Sequence, residues 1–445
     1  MTATVHPATI SGRLRVPASK SHTIRALLIA SLASGESVVE NVLQSRDTAA
    51  CIAACRALGA DIGSMPTGTP PDRAAEEDRP PDAVRVVGTG GSLHAPDDII
   101  DVGNSGTTLY LALGIAALCE GWTFFTGDEQ IRRRSAAPLL ASLRDLGAEA
   151  FSSRDNGCAP IAVRGPLAGG TTTIECPTSQ YLSSLLLAAP LAASPSEPRT
   201  TPETEIRVPL LNERPYVEMT LWWLESQGIR LDREGLERFR IPGGQSYRAF
   251  TVAVPGDYSS ATFWMVAAAV TGGSVTLDGL DPNDPQGDKA VLDILAKMGC
   301  TVERPTADAV TVSRPSRLSG GTFDLNAVPD ALPGLTVAAC LADSPTTLMN
   351  VPQAREKETD RVAVMARELG TLGARIEERP DGLVVHPPAR LTGGNVSGHG
   401  DHRVVMALAI AGLAATGPVI IDGSEAADVT YPGFFDDLRR LTERA

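Results

Sequence analysis

The sequence predicts an α/β protein built from copies of one structural unit. Five helix-like apolar runs each end at a glycine and pass into a β-branched or mixed stretch, roughly 70 to 90 residues apart. The glycines are Gly59, Gly147, Gly228, Gly299 and Gly373. Upstream of each lies another helix-like run of small apolar residues, opened by a polar loop. Because helical and strand patterns alternate, each unit is of βα type.

The first unit shows the element order most fully. We predict a helix over residues 20–33, a strand over 37–42 and a second helix over 48–58 that ends at Gly59. A glycine suits the left-handed position that commonly follows a helix. The same order of helix, strand and helix is predicted over 106–118, 123–125 and 137–146, and again over 259–270, 274–277 and 289–298. Strand candidates with alternating apolar residues lie between units, at 309–312 and 382–385.

Composition limits the classes of protein to which the chain can belong. With 445 residues, 43% of them hydrophobic, the chain can bury large cores and favours two or three domains. A net charge of −14 argues against a nucleic-acid or anionic-membrane partner, since such a partner needs a positive field. No run of eighteen apolar residues and no secretory leader are found, so we expect a cytoplasmic protein without a membrane anchor.

Two further features of the sequence are its cysteine pattern and two irregular segments. The seven cysteines are scattered and form no Cys-x-x-Cys pair, so we expect buried thiols and no metal site. The segments 65–82 and 194–203 are dense in proline, serine, threonine and charge. Both are predicted to be exposed insertions that carry no chemistry.

Polar loops open the first helix of every unit. If the units fold alike, these loops fall at equivalent ends and their polar side chains can converge. The loops are Pro17-Ala18-Ser19-Lys20, Gly103-Asn104-Ser105-Gly106-Thr107, Thr178-Ser179-Gln180, Gly256-Asp257-Tyr258-Ser259-Ser260, Val328-Pro329-Asp330 and Gly400-Asp401-His402-Arg403.

Two of the cationic segments lie near the start of a predicted helix. Lys20 and Arg25 would face the positive end of the helix dipole, so a bound phosphate could compensate them. Arg134 closes a basic triplet before another helix start. Taken singly, the first segment is equally consistent with a solvated basic helix start, and a basic triplet such as the second is usually a solvated face.

The segment 355–361 carries the highest density of charge. On one helical turn Lys357 and Arg361 would be i,i+4 neighbours and would repel unless an anion bridged them. The alternative is a solvated turn with Glu358 between them. Asp330 alone predicts an ordinary helix N-cap. In the last loop, Arg403 is favoured over its neighbouring histidine as the functional residue.

Taken together, these residues favour acid/base chemistry on small, multiply anionic substrates. The sequence holds no Ser-His-Asp signature, no Cys/His metal spacing and no nucleotide-binding loop, and the cluster Gly88-Thr89-Gly90-Gly91 is interpreted as a turn. Cations and a few acids instead lie at the helix starts of different units. Acid/base chemistry by such a set of residues requires neither a cofactor nor a metal.

A set of motifs resembles, in order and over nearly the whole chain, those of the 5-enolpyruvylshikimate-3-phosphate synthase (3-phosphoshikimate 1-carboxyvinyltransferase) family. The Lys-Glu-Thr-Asp-Arg motif is specific. The motifs are Lys20-Ser21-x-x-x-Arg25-Ala26-Leu27, Gly103-Asn104-Ser105-Gly106-Thr107, Ser179-Gln180-Tyr181-Leu182, Gly256-Asp257-x-Ser259-Ser260-Ala261, Gln286-Gly287-Asp288, Lys357-Glu358-Thr359-Asp360-Arg361 and Asp401-His402-Arg403.

The resemblance implies the two-domain enolpyruvyl transferase fold, with six repeated βαβαββ units, three in each domain. It assigns residues 1–19 and 257–445 to one domain and 20–256 to the other, with the active site in the cleft between them. It also implies a cytoplasmic, monomeric enzyme of the shikimate pathway to aromatic amino acids, without a cofactor.

The implied reaction moves the enolpyruvyl group of phosphoenolpyruvate to the 5-hydroxyl of shikimate 3-phosphate and releases phosphate through a tetrahedral intermediate. The implied catalytic residues are Asp330, which takes the hydroxyl proton, Glu358, which protonates the methylene carbon, and Lys20. The residues implied for shikimate 3-phosphate are Lys20, Ser21, Arg25, Thr178, Ser179, Gln180, Tyr216, Asp330, Gln353 and Lys357. Those implied for phosphoenolpyruvate are Lys20, Asn104, Gly106, Thr107, Arg134, Gln180, Arg361 and Arg403.

Three positions depart from the family pattern. A lysine common before the C-terminal Thr-Phe/Tyr-Pro motif is Val429, an Arg-Pro pair common after Gly106 is replaced by Tyr110-Leu111, and a serine common before the Pro-Tyr motif is Glu213. Because all three alter the anion pocket, we expect glyphosate, the family's inhibitor at the phosphoenolpyruvate site, to bind weakly, giving glyphosate tolerance.

Two other functions stay open at this point. A related enolpyruvyl transferase acting on another acceptor alcohol, such as UDP-N-acetylglucosamine, commonly has a reactive cysteine in the loop that corresponds to residues 126–134, and none is present there. An RNA 3′-phosphate cyclase-like protein would need a nucleotide-attacking histidine and a basic surface, which the acidic balance of the chain disfavours.

Overall fold

The chain divides into two compact units. The structure is a computed structural model that describes residues 1–65, 83–193, 202–314, 316–387 and 390–443. Met1–Pro17 and Pro255–Ala445 form one unit, here called the discontinuous unit, and Ala18–Val254 form the other, the continuous unit. The two insertions predicted over 65–82 and 194–203 fall almost entirely outside the described residues.

The described residues of the continuous unit form both helices and strands. Its helices are α1 (Lys20–Leu32), α2 (Arg46–Ala57), α3 (Gly106–Ala116), α4 (Ala137–Asp145), α5 (Ser179–Ala188) and α6 (Arg214–Ser226). Its strands are β3 (Ser34–Glu40), β4 (Asp61–Met65), β5 (Ala83–Thr89), β6 (Ile100–Asp101), β7 (Thr123–Thr126), β8 (Glu149–Ser152), β9 (Ile161–Arg164), β10 (Gly170–Cys176), β11 (Glu203–Leu211), β12 (Asp232–Glu234), β13 (Arg238–Pro242) and β14 (Thr251–Ala253).

The discontinuous unit begins with the first two strands of the chain and resumes after β14. Its helices are α7 (Tyr258–Thr271), α8 (Ala290–Lys297), α9 (Leu332–Cys340), α10 (Arg361–Thr371), α11 (His402–Ala414) and α12 (Phe434–Glu443). Its strands are β1 (Thr2–Val5), β2 (Ser11–Arg15), β15 (Ser274–Asp278), β16 (Thr301–Thr306), β17 (Ala309–Ser313), β18 (Thr322–Asp324), β19 (Thr346–Met349), β20 (Arg375–Arg379), β21 (Gly382–His386), β22 (Gly394–Ser397) and β23 (Val419–Asp422).

One sheet pattern recurs through both units. In the sheet β10-β11-β13-β12, the first two strands are parallel and flank α5, and the remaining contacts are antiparallel. The sheets β6-β7-β9-β8 and β18-β19-β21-β20 repeat this βαβαββ pattern. Among the described residues, the sheet of the last repeat, β1-β23-β22, has three strands instead of four. One of the three, β1, comes from the start of the chain.

Two strands complete sheets far from their place in the sequence. β2 immediately precedes α1, but it pairs in parallel with β15 of the discontinuous unit. The corresponding place beside β3 is filled by β14, from the end of the continuous unit. The chain therefore passes from one unit to the other after Pro17 and returns after Val254.

The five repeat glycines adopt the backbone conformation that the sequence predicted. Gly59, Gly147, Gly228, Gly299 and Gly373 have φ values of 109°, 97°, 70°, 102° and 95°. Residues with a Cβ rarely adopt this region of φ. Glycine therefore ends the second helix of each of these repeats at little conformational cost.

The first helix of each repeat lies in the core of its unit. All but one residue of α7 are buried, and α1, α3, α5, α9 and α11 are buried along most of their length. In the continuous unit, Ser184 Oγ accepts a hydrogen bond from Gly114 N at 3.1 Å and donates one to Tyr110 O at 2.6 Å. Because Tyr110 also packs on Tyr181, α3 and α5 run in the same direction and begin at the same end.

The expected burial of the cysteine thiols is confirmed. All seven cysteines are buried and free, and burial raises the pKa of Cys176 and Cys340 to about 12. Within the described ranges, no helix has both the length and the apolar character needed to cross a membrane.

Candidate active site

Most of the buried first helices of the repeats have a side-chain N-cap. Ser19, Ser105, Thr178, Asp257 and Asp401 each accept a hydrogen bond from a backbone N–H in the first turn of α1, α3, α5, α7 and α11. Such caps satisfy backbone groups that have no partner within the helix. Five of the six polar loops found in the sequence are therefore capped helix starts, and they hold part of the predicted site residues.

In the discontinuous unit, Arg361 stands at the centre of a charge cluster. Its guanidinium donates through Nε to Asp401 Oδ2 at 2.8 Å, through Nη1 to Asp330 Oδ1 at 2.7 Å and through Nη2 to Glu358 Oε2 at 2.5 Å. Arg403 Nη2 lies 3.0 Å from the other oxygen of Asp330. Asp330 thus bridges two arginines, and the structure brings four predicted site residues together in one cluster.

The centre of the cluster is buried. Arg361 is 1% exposed and Asp401 is fully buried. Burial alone would lower the pKa of Arg361, but the charges of Asp401, Glu358 and Asp330 raise it above the ordinary value. The guanidinium is therefore a fixed cation, and its orientation is set by three carboxylates.

Two local predictions about this cluster were wrong. Lys357 and Arg361 do not share a helical turn, because a short 3₁₀ helix over Pro352–Glu356 ends before Lys357 and Asp360 caps the start of α10. They are therefore not i,i+4 neighbours on one helix. Asp330 is not an N-cap either, since its carboxylate binds the two arginines instead.

Gln353 and Lys357 complete the predicted set in this unit. Gln353 is buried within the 3₁₀ helix, and its Nε2 donates to Asn326 O at 3.0 Å. Lys357 is partly buried directly after that helix.

In the continuous unit, Arg25 is a buried cation held by neutral groups. It is 1% exposed and donates to Thr220 Oγ1 at 2.8 Å, to Ser21 O at 3.0 Å and to Tyr216 O at 3.1 Å. Burial lowers the pKa of Arg25 to about 10, so the side chain is still charged at neutral pH. The predicted residues Ser21 and Tyr216 thus meet Arg25 through their backbone carbonyls.

Lys20 opens α1 and has an acidic partner that sequence reasoning missed. Its Nζ lies 3.1 Å from Asp47 Oδ2, and both side chains are largely buried. Asp47 lies in the first turn of α2, where an acid is explained by the helix dipole alone. The local signal therefore pointed to capping and not to Lys20.

The start of α3 brings together Asn104, Gly106 and Arg134. Asn104 Nδ2 donates to Asp128 Oδ2 at 2.6 Å and to Gln130 Oε1 at 2.9 Å. A Cβ atom at Gly106 would lie only 2.5 Å from Arg134 Nη1, so the guanidinium packs directly on the glycine. Thr107 follows as the second residue of α3.

The start of α5 is engaged by an acid. Thr178 Oγ1 and both the N–H and the hydroxyl of Ser179 donate to one carboxylate oxygen of Glu213. Gln180 is the next residue of α5. Sequence reasoning noted Glu213 as a departure from the family but did not predict this contact.

The other two departures are parts of packed structure. Tyr110 packs edge-to-face on Tyr181 at 5.1 Å and donates to Ser135 O. Val429 is buried, and Tyr431 after it accepts a hydrogen bond from Trp264 Nε1 at 3.1 Å. The segment in which a lysine is common therefore anchors the chain end in the core.

Comparisons with known proteins identify the family. The sequence model of a family described as EPSP synthase (3-phosphoshikimate 1-carboxyvinyltransferase) matches residues 5–438. A 3-phosphoshikimate 1-carboxyvinyltransferase of Acetivibrio thermocellus is 49% identical over 98% of this chain and 97% of that protein. One of Ruminiclostridium cellulolyticum is 46% identical over the same shares.

The chain belongs to the EPSP synthase family.

Solved structures of EPSP synthase agree with this assignment. An EPSP synthase from Acinetobacter baumannii, solved at 2.37 Å, superposes with a TM-score of 0.79 at 27% identity and covers 99% of this chain and 98% of that one. The predictions of an EPSP synthase family member, of the enolpyruvyl transferase fold and of the enzyme class are thereby confirmed.

Proposed function

We propose that the protein transfers the carboxyvinyl group of phosphoenolpyruvate to the 5-hydroxyl of shikimate 3-phosphate and releases phosphate. Membership of the EPSP synthase family over residues 5–438 supports this reaction. The observation that carries it is the bridging of Arg361 and Arg403 by Asp330, with Glu358 on the same guanidinium. This arrangement combines fixed cations for anionic substrates with two acids for proton transfer.

The proposed reaction has two steps, an addition and an elimination, with three proton transfers. The 5-hydroxyl oxygen bonds to C2 of phosphoenolpyruvate while the hydroxyl loses its proton and the methylene carbon C3 gains one. The resulting tetrahedral intermediate then breaks the bond between C2 and the phosphate oxygen, and the methyl group loses a proton. The products are the enolpyruvyl ether and inorganic phosphate.

We assign the proton transfers to Asp330 and Glu358. Asp330 accepts the proton of the 5-hydroxyl, and Glu358 delivers the proton to the methylene carbon. Both carboxyl groups bond to Arg361, which fixes their separation before substrate binds. Glu358 is 2.5 Å from this guanidinium, so the same arginine orients the acid and the base.

Electrostatic preorganisation explains the need for so many cations. Two phosphorylated substrates repel each other, and preset positive groups offset that repulsion without reorganising during the reaction. The phosphoenolpyruvate group comprises Lys20, Asn104, Gly106, Thr107, Arg134, Gln180, Arg361 and Arg403. The shikimate 3-phosphate group comprises Lys20, Ser21, Arg25, Thr178, Ser179, Gln180, Tyr216, Asp330, Gln353 and Lys357.

Initial rates of phosphate release from phosphoenolpyruvate test this function. Release should require shikimate 3-phosphate and should not occur with UDP-N-acetylglucosamine as the acceptor. Phosphate release with UDP-N-acetylglucosamine but not with shikimate 3-phosphate would show that the protein uses a different acceptor. Failure to release phosphate with either acceptor would overturn the proposed reaction.

We also propose that glyphosate inhibits this enzyme weakly and that the enzyme is a cytoplasmic monomer. A buried valine at position 429 and the Tyr110–Tyr181 contact occupy places where the family commonly has cationic side chains. An inhibition constant for glyphosate at or below the Michaelis constant for phosphoenolpyruvate would contradict weak inhibition. Light scattering at micromolar concentration tests the monomer.

A further inference from the structure

Glu213 places a buried carboxylate among hydrogen-bond donors at the start of α5. It is 1% exposed. Its Oε2 atom accepts from Ser179 Oγ at 2.8 Å, from Ser179 N at 3.1 Å and from Thr178 Oγ1 at 3.1 Å. Three donors thus converge on one anionic oxygen, at the helix end where the dipole also favours negative charge.

The backbone holds Glu213 at this position. Its φ and ψ are 57° and 40°, a left-handed conformation that is uncommon for residues other than glycine. Asn212 N donates to Cys176 O at 3.1 Å, and Tyr216 N donates to Glu213 O at 3.0 Å. The residue is therefore fixed between the end of β10 and the first turn of α6, while its carboxylate can move only by rotation of the side chain.

The same donors are those proposed to hold the acceptor substrate. Thr178 and Ser179 each have one hydroxyl proton, and in the present arrangement both protons are given to Glu213. A phosphate group that binds there needs those protons and would also meet the negative charge of the carboxylate. Glu213 and a substrate phosphate therefore compete for one set of donors.

We propose that Glu213 is an internal anion that occupies the phosphate subsite of shikimate 3-phosphate and must be displaced when this substrate binds. The inference rests on the proposed function and names the residue that sets affinity for the acceptor. Glu213 keeps the donors satisfied in the free enzyme and weakens the binding of the phosphorylated acceptor. An acceptor without a phosphate group does not require its displacement.

Calorimetric binding of shikimate 3-phosphate, without phosphoenolpyruvate, tests the proposal on the full-length protein. Glu213→Ser removes the carboxylate, and Glu213→Gln keeps its shape without the charge. Both variants should bind shikimate 3-phosphate about tenfold more tightly than the wild type, the scale of one charged hydrogen bond. Binding of shikimate, which lacks the phosphate, should be the same in all proteins.

Glu218→Gln is the matched control. Glu218 lies on α6 close to Glu213 in the sequence, but its partner is the exposed Arg233, at 2.9 Å. This variant loses the same charge and should bind shikimate 3-phosphate as the wild type does. Circular dichroism should show that each variant is folded.

Equal or weaker binding of shikimate 3-phosphate by Glu213→Gln would overturn the proposal, even if Glu213→Ser failed to fold. If either variant binds shikimate 3-phosphate measurably and the wild type does not, the proposal is supported. If none of the proteins binds it, the proposal is overturned. The outcome is separate from the proposed function, because turnover is measured with both substrates and this experiment measures binding of the acceptor alone.

Discussion

Asp401 holds the guanidinium of Arg361 through two hydrogen bonds, from Nε at 2.8 Å and from Nη2 at 3.2 Å. The same carboxylate accepts the backbone N–H groups of Arg403 and Val404 and thereby caps α11. One buried acid thus links the starts of α10 and α11. It is a positioning residue, since it fixes an arginine that we propose binds substrate.

Replacing Asp401 with asparagine should impair the use of phosphoenolpyruvate. Asparagine caps helices well, so α11 should keep its start, but Arg361 loses an ionic partner. We expect kcat/KM for phosphoenolpyruvate to fall about tenfold or more, the scale of one charged hydrogen bond, with a smaller change in KM for shikimate 3-phosphate.

Asp278→Asn is the control for this variant. Asp278 holds Arg13 by an equivalent pair of hydrogen bonds, at 2.6 and 2.7 Å, but on an exposed edge of a sheet. Its loss should leave both Michaelis constants unchanged. Equal effects of the two substitutions would show that Asp401 acts only through stability.

Removing either proposed proton-transfer group should abolish most turnover. Asp330→Ala and Glu358→Gln should keep the fold and lower kcat by about 10²- to 10⁴-fold, the usual contribution of general acid–base catalysis. Glu358→Gln still offers an oxygen to Arg361, so its loss of rate reports the missing proton. Glu356→Gln, at an exposed position two residues away, should be as active as the wild type. Near-wild-type kcat in either variant removes that residue from the mechanism.

A methyl group at Gly106 should disturb the proposed phosphoenolpyruvate subsite. The added Cβ would lie 2.5 Å from Arg134 Nη1, so the guanidinium must move away from the start of α3. We expect KM for phosphoenolpyruvate to rise about tenfold, since one charged contact is lost. Gly370→Ala is the control, because that helical glycine has open space around it. If Gly106→Ala has the same kinetic constants as the wild type, Arg134 does not contribute to the binding of phosphoenolpyruvate.

Glu368 should make stability depend on pH. Burial alone would raise its pKa, but hydrogen bonds from His399, Ser397 and Arg367 lower the pKa below its ordinary value of 4.5. Its contribution is therefore complete above the ordinary value and is lost as the pH falls through the lowered pKa. Glu368→Gln should unfold more easily at pH 7, by about 1–3 kcal/mol.

Denaturant titrations across pH measure this effect. The difference in unfolding free energy between wild type and Glu368→Gln should shrink as the pH is lowered. A difference that stays constant from pH 7 to pH 3 would show that the ionised carboxylate makes no special contribution.

The repeat architecture could be predicted because its signals are local. Gly59 and its four counterparts end helices through their own backbone freedom, and Ser105 and Thr178 cap helices within three residues. Such features depend on the immediate sequence only. The predicted helix over 259–270 accordingly agrees with α7 to within a residue at each end.

The partners of the site residues could not be predicted in the same way. Asp47, Glu213 and Asp401 reach their partners across 27, 34 and 40 residues of chain, counted to Lys20, Ser179 and Arg361. Each acid also had a sufficient local explanation as a helix-start residue or a simple substitution. Only the packing of different helices, within a repeat for Asp47 and Glu213 and between repeats for Asp401, shows which cation or helix start each acid contacts.

We propose that the cations at these helix starts bind two phosphorylated metabolites for a single carboxyvinyl transfer. Phosphorus-31 NMR of the purified protein with phosphoenolpyruvate and shikimate 3-phosphate tests this most directly. We predict that both substrate signals fall together while inorganic phosphate and one new phosphate monoester rise in equal amounts. Release of phosphate without loss of the shikimate 3-phosphate signal, or no change in either substrate, would contradict the account.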